Sequence, residues 1–133
     1  MSGFRVERDE ASAAFFDAAA RGTLLIRRCP VCGTQWAPAR MRCPAGHALE
    51  WMEASGGAVL VTWAVEHGTP LDPALATPRG DASAFGYVEL EEGPWLQVPI
   101  VGVDPASLRA GSPMQVCFVR PGDGEALPAF TPT

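Results

Sequence analysis

The alternation of apolar and polar positions divides the chain into a short helical start and a long β-patterned remainder. Residues 9–21 read as a helix: Asp9 is placed to cap it, acids crowd its first turn, Arg21 complements its last turn and Gly22 stops it. The helical period puts Phe15, Ala18 and Ala19 on one face and points Phe16 partly elsewhere. Two readings of the paired phenylalanines stand side by side: they pack on the protein's own body, or they belong to a surface for a partner. Residues 23–28 (Thr23 to Arg28) then form a short strand, 35–38 a candidate return strand, and 49–54 an extended segment that enters a turn at Ser55-Gly56-Gly57.

From Ala58 onward the pattern is that of strands. Residues 58–66 are rich in β-branched and aromatic side chains and long enough to curl around a small barrel. Residues 67–84 are polar and hold Pro70, Pro73, Pro78 and Gly80, which predicts a long mobile loop. Residues 85–90 and 95–101, joined at Glu91-Glu92-Gly93-Pro94, predict a hairpin. Asp104 caps a single helical turn that has Pro105 at its first position and ends at Gly111. Residues 114–119 and 127–130 supply a fourth and a fifth strand. Five strands with a small helical element between the third and fourth match the partly open barrel of an OB-fold. The fold class expected is mainly β, with an N-terminal helix in residues 1–22, a small zinc ribbon in 23–54 and a five-stranded OB-fold barrel in 55–133.

The ribbon expectation rests on four residues. Cys29-Pro30-Val31-Cys32-Gly33 forms a knuckle in which the glycine lets the backbone turn so that both sulfurs face one point. Cys43, with His47 four positions beyond it, is close enough in sequence to complete a tetrahedron, and three thiolates with one imidazole suit one structural zinc. In a second Cys-x-x-Cys the fourth ligand would sit at Gly46, which has no side chain to offer, so His47 is the nearest substitute. The competing reading makes His47 an exposed loop histidine and the ribbon degenerate, held by packing alone. A redox role for Cys29 and Cys32 needs a helix after the first cysteine, whereas Gly33 to Pro38 has no helical period. Cys117, in an apolar strand pattern, reads as a small core residue.

Composition narrows the functions. At 133 residues with 47% apolar content the chain suits one compact domain, or a small domain with a metal-stapled appendage. It has no apolar run of membrane-spanning length and its start is too charged for a secretory signal, so a cytoplasmic protein without membrane contact is expected. The net charge of −5 is unevenly placed: residues 18–49 hold Arg21, Arg27, Arg28, Arg40 and Arg42 and no acid, while residues 50–133 hold eleven acids and three arginines. A barrel half at −8 repels a phosphate backbone, which weighs against the alternative of a single-stranded nucleic-acid-binding OB-fold, although Trp63, Tyr87 and Trp95 could stack on bases. The absence of lysine excludes Schiff-base chemistry, and His67 beside Glu66 is the one acid–base pair left once His47 is assigned to metal. The ribbon arginines suit an anion, either the pyrophosphate and ribose phosphate of coenzyme A or an acidic partner surface.

The order of these parts resembles a family of bacterial and archaeal proteins that join an N-terminal rubredoxin-like zinc ribbon to a C-terminal OB-fold, long catalogued as a domain of unknown function. The marks are Phe15-Phe16, Gly22-Thr23-Leu24, Cys29-Pro30-Val31-Cys32-Gly33, Pro38-Ala39-Arg40, Cys43-Pro44, Ser55-Gly56-Gly57, Val101-Gly102-Val103-Asp104, Gly111-Ser112-Pro113-Met114 and Leu127-Pro128-Ala129-Phe130. The family usually has its fourth cysteine where this chain has Gly46. The resemblance implies a non-catalytic accessory subunit of a thiolase-like enzyme acting on acyl-CoA thioesters, such as an aldolase of steroid side-chain breakdown or an acyltransferase, in a hetero-oligomer. On that reading Arg27, Arg28, Arg40 and Arg42, with Phe15 and Phe16, are the candidates for contact with coenzyme A or the partner.

Overall fold

The computed structural model describes residues 6–70 and 72–133; the first five residues of the charged start, and Leu71 within the 67–84 stretch, lie outside them. The helical start is shorter than its pattern. Asp9 caps it as expected, its carboxylate accepting from the Ser12 N–H at 2.9 Å while the Ser12 hydroxyl accepts from the Asp9 N–H at 3.0 Å. The first turn, Glu10–Ser12, is nevertheless 3-10, and only α1 (Ala13–Ala20) is α-helical. Its buried residues are Phe16, Ala18 and Ala19, and Phe15 is the half-buried one. This corrects the expected face. Alanines at 13, 14, 18, 19 and 20 leave so short a helix without the contrast in hydropathy that would fix which side packs inward.

Three short strands follow: β1 (Leu25–Arg28), β2 (Gln35–Trp36) and β3 (Glu50–Glu53), antiparallel in the order β2-β1-β3. The chain then turns at Gly56, where φ is +91° and a Cβ would come within 2.7 Å of Val116 Cγ1, so only glycine fits. Five further strands, β4 (Gly57–His67), β5 (Ala82–Leu90), β6 (Trp95–Ile100), β7 (Pro113–Val119) and β8 (Leu127–Pro132), close into a barrel in the order β4-β5-β6-β8-β7. The pairings are antiparallel except β6 with β8, which is parallel at Ile100 and Phe130. The long β4 serves both β5 and β7, and a shift of register between Leu60 and Thr62 supplies the bend. Opposite that bend Gly86 lets β5 pass close, since a Cβ there would sit 2.6 Å from the Thr62 carbonyl oxygen.

The barrel is filled by Leu60, Val88, Ile100, Met114 and Phe130, none more than 1% exposed. Leu24 and Ile26 belong to the same cluster, so ribbon and barrel share one apolar core. The stretch expected as a loop holds regular structure among its described residues. His67 still belongs to β4, β5 begins at Ala82, and the residues between include a 3-10 turn at Pro73–Leu75. Asp72 caps that turn through the Ala74 N–H at 2.8 Å and accepts the Gly122 N–H at 2.6 Å, while Leu75 and Thr77 are buried. Cys117 also departs from expectation: it is half-buried on β7 rather than in the core, and burial pushes its thiol up. No helix among the described residues is long and apolar enough to cross a membrane.

Candidate metal centre

Two glycine turns bring four donor atoms together. After β1 the chain reverses with the Gly33 N–H on the Cys29 carbonyl at 2.8 Å and the Cys29 N–H on the Thr34 carbonyl at 2.8 Å, Gly33 holding φ at +77°. The second turn is one residue tighter. The Gly46 N–H reaches the Cys43 carbonyl at 2.8 Å, Gly46 takes φ of +88°, and the Cys43 N–H bonds the His47 carbonyl at 3.0 Å. The left-handed glycine thus falls one position earlier than in the first knuckle, and the next side chain, His47, is the one turned back toward the sulfurs.

The ligating atoms of Cys29, Cys32, Cys43 and His47 all lie within 4.8 Å of one another. His47 Nδ1 is 3.7 Å from Cys29 Sγ, 3.6 Å from Cys32 Sγ and 3.3 Å from Cys43 Sγ. Zinc–sulfur and zinc–nitrogen bonds of ordinary length set the sulfur–nitrogen edge of a tetrahedron at ~3.6 Å, so the donor set fits that ion. Cys29 is fully buried, Cys43 is 4% exposed and Cys32 is exposed. The thiols are electrostatically divided. The Cys32 N–H, 3.2 Å from Cys29 Sγ, holds the Cys29 thiol below its ordinary range. Burial pushes Cys43 up, but the N–H groups of His47 and Ala45 outweigh it and the net shift is downward. Cys32 is pushed up to about 11, first by its bond to Cys29 and then by desolvation. Three sulfurs this close cannot all ionise unless a cation lies among them.

The arginines expected near this site are placed differently from one another. Arg28 pairs with Glu50, its partner across β1 and β3, at 3.1 Å. Arg40 stacks on Trp36 at 4.3 Å and donates to the Arg42 carbonyl at 2.9 Å, and Arg42 donates to the Gly46 carbonyl at 2.9 Å, bracing the second knuckle. Arg27 is 8% exposed, its guanidinium 3.5 Å above the Trp51 ring, and burial lowers its pKa. Phe15 leans on the same Trp51 with ring centroids 6.1 Å apart, and Phe16 packs edge-on to Phe15 at 5.3 Å. Trp51 is the residue that sequence reasoning missed. The available signal was its place in an extended segment beside the strand that carries Arg27.

Elsewhere, Glu66 and His67 are both exposed at the end of β4, and as adjacent strand residues they leave opposite faces. His67 borders a cleft of about 340 Å³ with Thr77, Asp81 and Asp104. On the outer barrel face Tyr87 is 41% and Trp95 53% exposed, with Glu89 between the β4 residue Val59 and Trp95 in register.

Comparisons with known proteins cover nearly the whole chain. A curated relative, described as a probable enoyl-CoA hydratase alpha subunit from Thermomonospora curvata, is 31% identical over 129 residues. The match takes in 96% of this chain but spans only 38% of the relative's length. A solved structure described as the Ltp2-ChsH2(DUF35) aldolase is similar with a TM-score of 0.79 and 28% identity, covering 96% of this chain and 98% of that one. A DUF35 protein of unknown function from Sulfolobus solfataricus matches with a TM-score of 0.61 at 13% identity, over 93% of this chain and 86% of that one, which shows the fold alone. The family described as "ChsH2, C-terminal OB-fold domain" matches residues 51–119, which hold β4, β5, β6 and β7 of the barrel. With that match on the barrel and the cysteine–histidine cluster ahead of it, the chain belongs to the ChsH2 (DUF35) OB-fold family.

Proposed function

We propose that this chain is a non-catalytic accessory subunit that binds a thiolase-like enzyme and supports turnover of acyl-CoA thioesters, including those with steroid or lipid side chains, in the cytoplasm. Its units are an N-terminal segment of residues 1–22 that carries the helix, the ribbon of 23–54 and the barrel of 55–133. The observation that carries the reading is the end-to-end similarity to a chain of the Ltp2-ChsH2(DUF35) aldolase, whose description names two components. The curated relative, described as a hydratase subunit for an enoyl-CoA, points to the same class of substrate.

Cys29, Cys32, Cys43 and His47 would hold one zinc, which when bound supplies a structural crosslink between the two knuckles. The chain's own residues do the rest: the glycines set the turns, Arg42 braces the second, and Leu24 and Ile26 anchor the ribbon in the barrel core. With His47 among the thiols, His67 is the remaining imidazole, and it sits exposed at a strand end. Exposed Tyr87 and Trp95 favour the alternative of single-stranded nucleic-acid binding, but the acidic Glu89 lies two residues from Tyr87 on the same strand and directly opposite Trp95. The test is co-expression of the tagged chain with candidate thiolase-like enzymes that act on acyl-CoA thioesters. Co-purification at fixed stoichiometry, with about one zinc per chain, supports the reading. A chain that stays alone, or shows a salt-sensitive shift with single-stranded DNA, contradicts it.

A further inference from the structure

Arg27 is the only charged side chain buried among the described residues, and no ion pair among them includes it. Its neighbours are neutral. Nε–H donates to the Pro38 carbonyl at 3.1 Å, one terminal nitrogen meets Met41 Sδ at 3.6 Å, and the guanidinium carbon lies 3.5 Å from the centre of the Trp51 ring. A guanidinium carries five N–H donors, and a cation taken out of water calls for an opposite charge. Beside it opens a cleft of about 360 Å³ between α1 and the ribbon, walled by Phe15, Pro38, Met41 and Trp51, with Met41 56% exposed at the rim. Asp9 also borders this cleft, but its carboxylate is turned to the N–H and hydroxyl of Ser12 and makes no ion pair with Arg27.

The number of cations that line the cleft decides what it can take. Arg27 is the one arginine in its lining, while Arg28 is paired with Glu50 and Arg40 and Arg42 lie outside the lining. A polyphosphate would need several convergent guanidinium groups, and here a single one faces an apolar floor. We propose that the cleft receives one aspartate or glutamate side chain, flanked by apolar residues, from the surface of a partner protein. The proposal rests on the accessory-subunit reading and gives it a docking point: the carboxylate completes Arg27, and the flanking apolar residues cover Phe15, Met41 and Trp51.

The isolated chain, labelled with nitrogen-15, is titrated with acetyl-Leu-Glu-Leu-amide, with its glutamine counterpart and with coenzyme A. The Arg27 Nε–H and Trp51 Nε1–H resonances are expected to move with the glutamate peptide in the millimolar range, about tenfold more weakly with the glutamine peptide. Equal responses to the two peptides, no response, or a stronger response to coenzyme A overturns the proposal. In a second measurement, Met41→Glu places a carboxylate beside the guanidinium. The variant is expected to melt higher than the wild type and to lose the peptide response, and a lower melting temperature overturns the proposal. Neither measurement involves the enzyme partner, so their failure leaves the accessory reading standing. In the complex Met41→Glu is then expected to weaken association about tenfold, and unchanged association overturns the docking point alone.

Discussion

Replacing His47 by alanine removes the nitrogen donor from a cluster whose other three members are sulfur, and the structure limits the damage to that change. The Cys43 N–H bonds the His47 carbonyl, which alanine keeps, and Gly33 and Gly46 still set the two turns. What is lost is an atom 3.3–3.7 Å from every sulfur in the site. Structural zinc sites in small peptides contribute roughly 10–16 kcal/mol of binding, so one ligand of four is worth about 3 kcal/mol, or about a hundredfold in dissociation constant. The assay is anaerobic titration of metal-stripped protein with cobalt(II), read in the visible spectrum, followed by competition with a chelator and with zinc. The wild type should show the bands of a tetrahedral site rich in thiolate. His47→Ala should keep the sulfur charge-transfer band, shift the ligand-field bands and bind about a hundredfold more weakly. Cys117→Ser, on β7 and outside the cluster, should change nothing. Binding by His47→Ala within about twofold of wild type would remove the imidazole from the ligand set.

Two further predictions probe the frame around the site. Gly86→Ala puts a methyl group 2.6 Å from the Thr62 carbonyl oxygen and 3.1 Å from Trp63 Cβ, at the bend of β4. Overpacking of about 1–3 kcal/mol outweighs the entropic gain of about 0.4–1 kcal/mol, so the denaturation midpoint should fall with an unchanged slope, and a neutral or stabilised variant would refute the close approach. Glu125 accepts two bonds from Arg8, which hold its carboxyl below the ordinary range. A depressed native pKa stabilises above the unfolded value and is lost as pH falls through the native one. Wild type should therefore lose more thermal stability than Glu125→Gln on acidification from pH ~5 to ~3, and parallel profiles would contradict the link.

Much of the fold was legible because the barrel strands obey a two-residue period. β5 and β6 bury alternate positions through Val88 and Leu90 and through Leu96, Val98 and Ile100. The capping signals were equally readable at Asp9 and at Asp104-Pro105. The same Asp-Pro signature at Asp72-Pro73 builds the same kind of turn, yet the prolines and polar residues around it suggested a free loop. What pins it is the Gly122 N–H, fifty residues away, which no local pattern reveals. The glycine at position 46 looked like a missing ligand, whereas its left-handed φ is what turns His47 toward the sulfurs. Arg27 misled for a tertiary reason. It reads as a surface cation, but β1 lies under α1 and beside Trp51, and a helix covering a strand is invisible in the strand's own sequence.

The central claim is that this protein lends structure to another enzyme's chemistry. It is tested most directly by measuring turnover of an acyl-CoA thioester by the purified chain, by the enzyme with which it co-purifies, and by the two mixed at increasing ratio. The account predicts no turnover by the chain alone and activity that rises with the mixing ratio until the complex is saturated. Steady turnover by the isolated chain, or an enzyme indifferent to its presence, would contradict it.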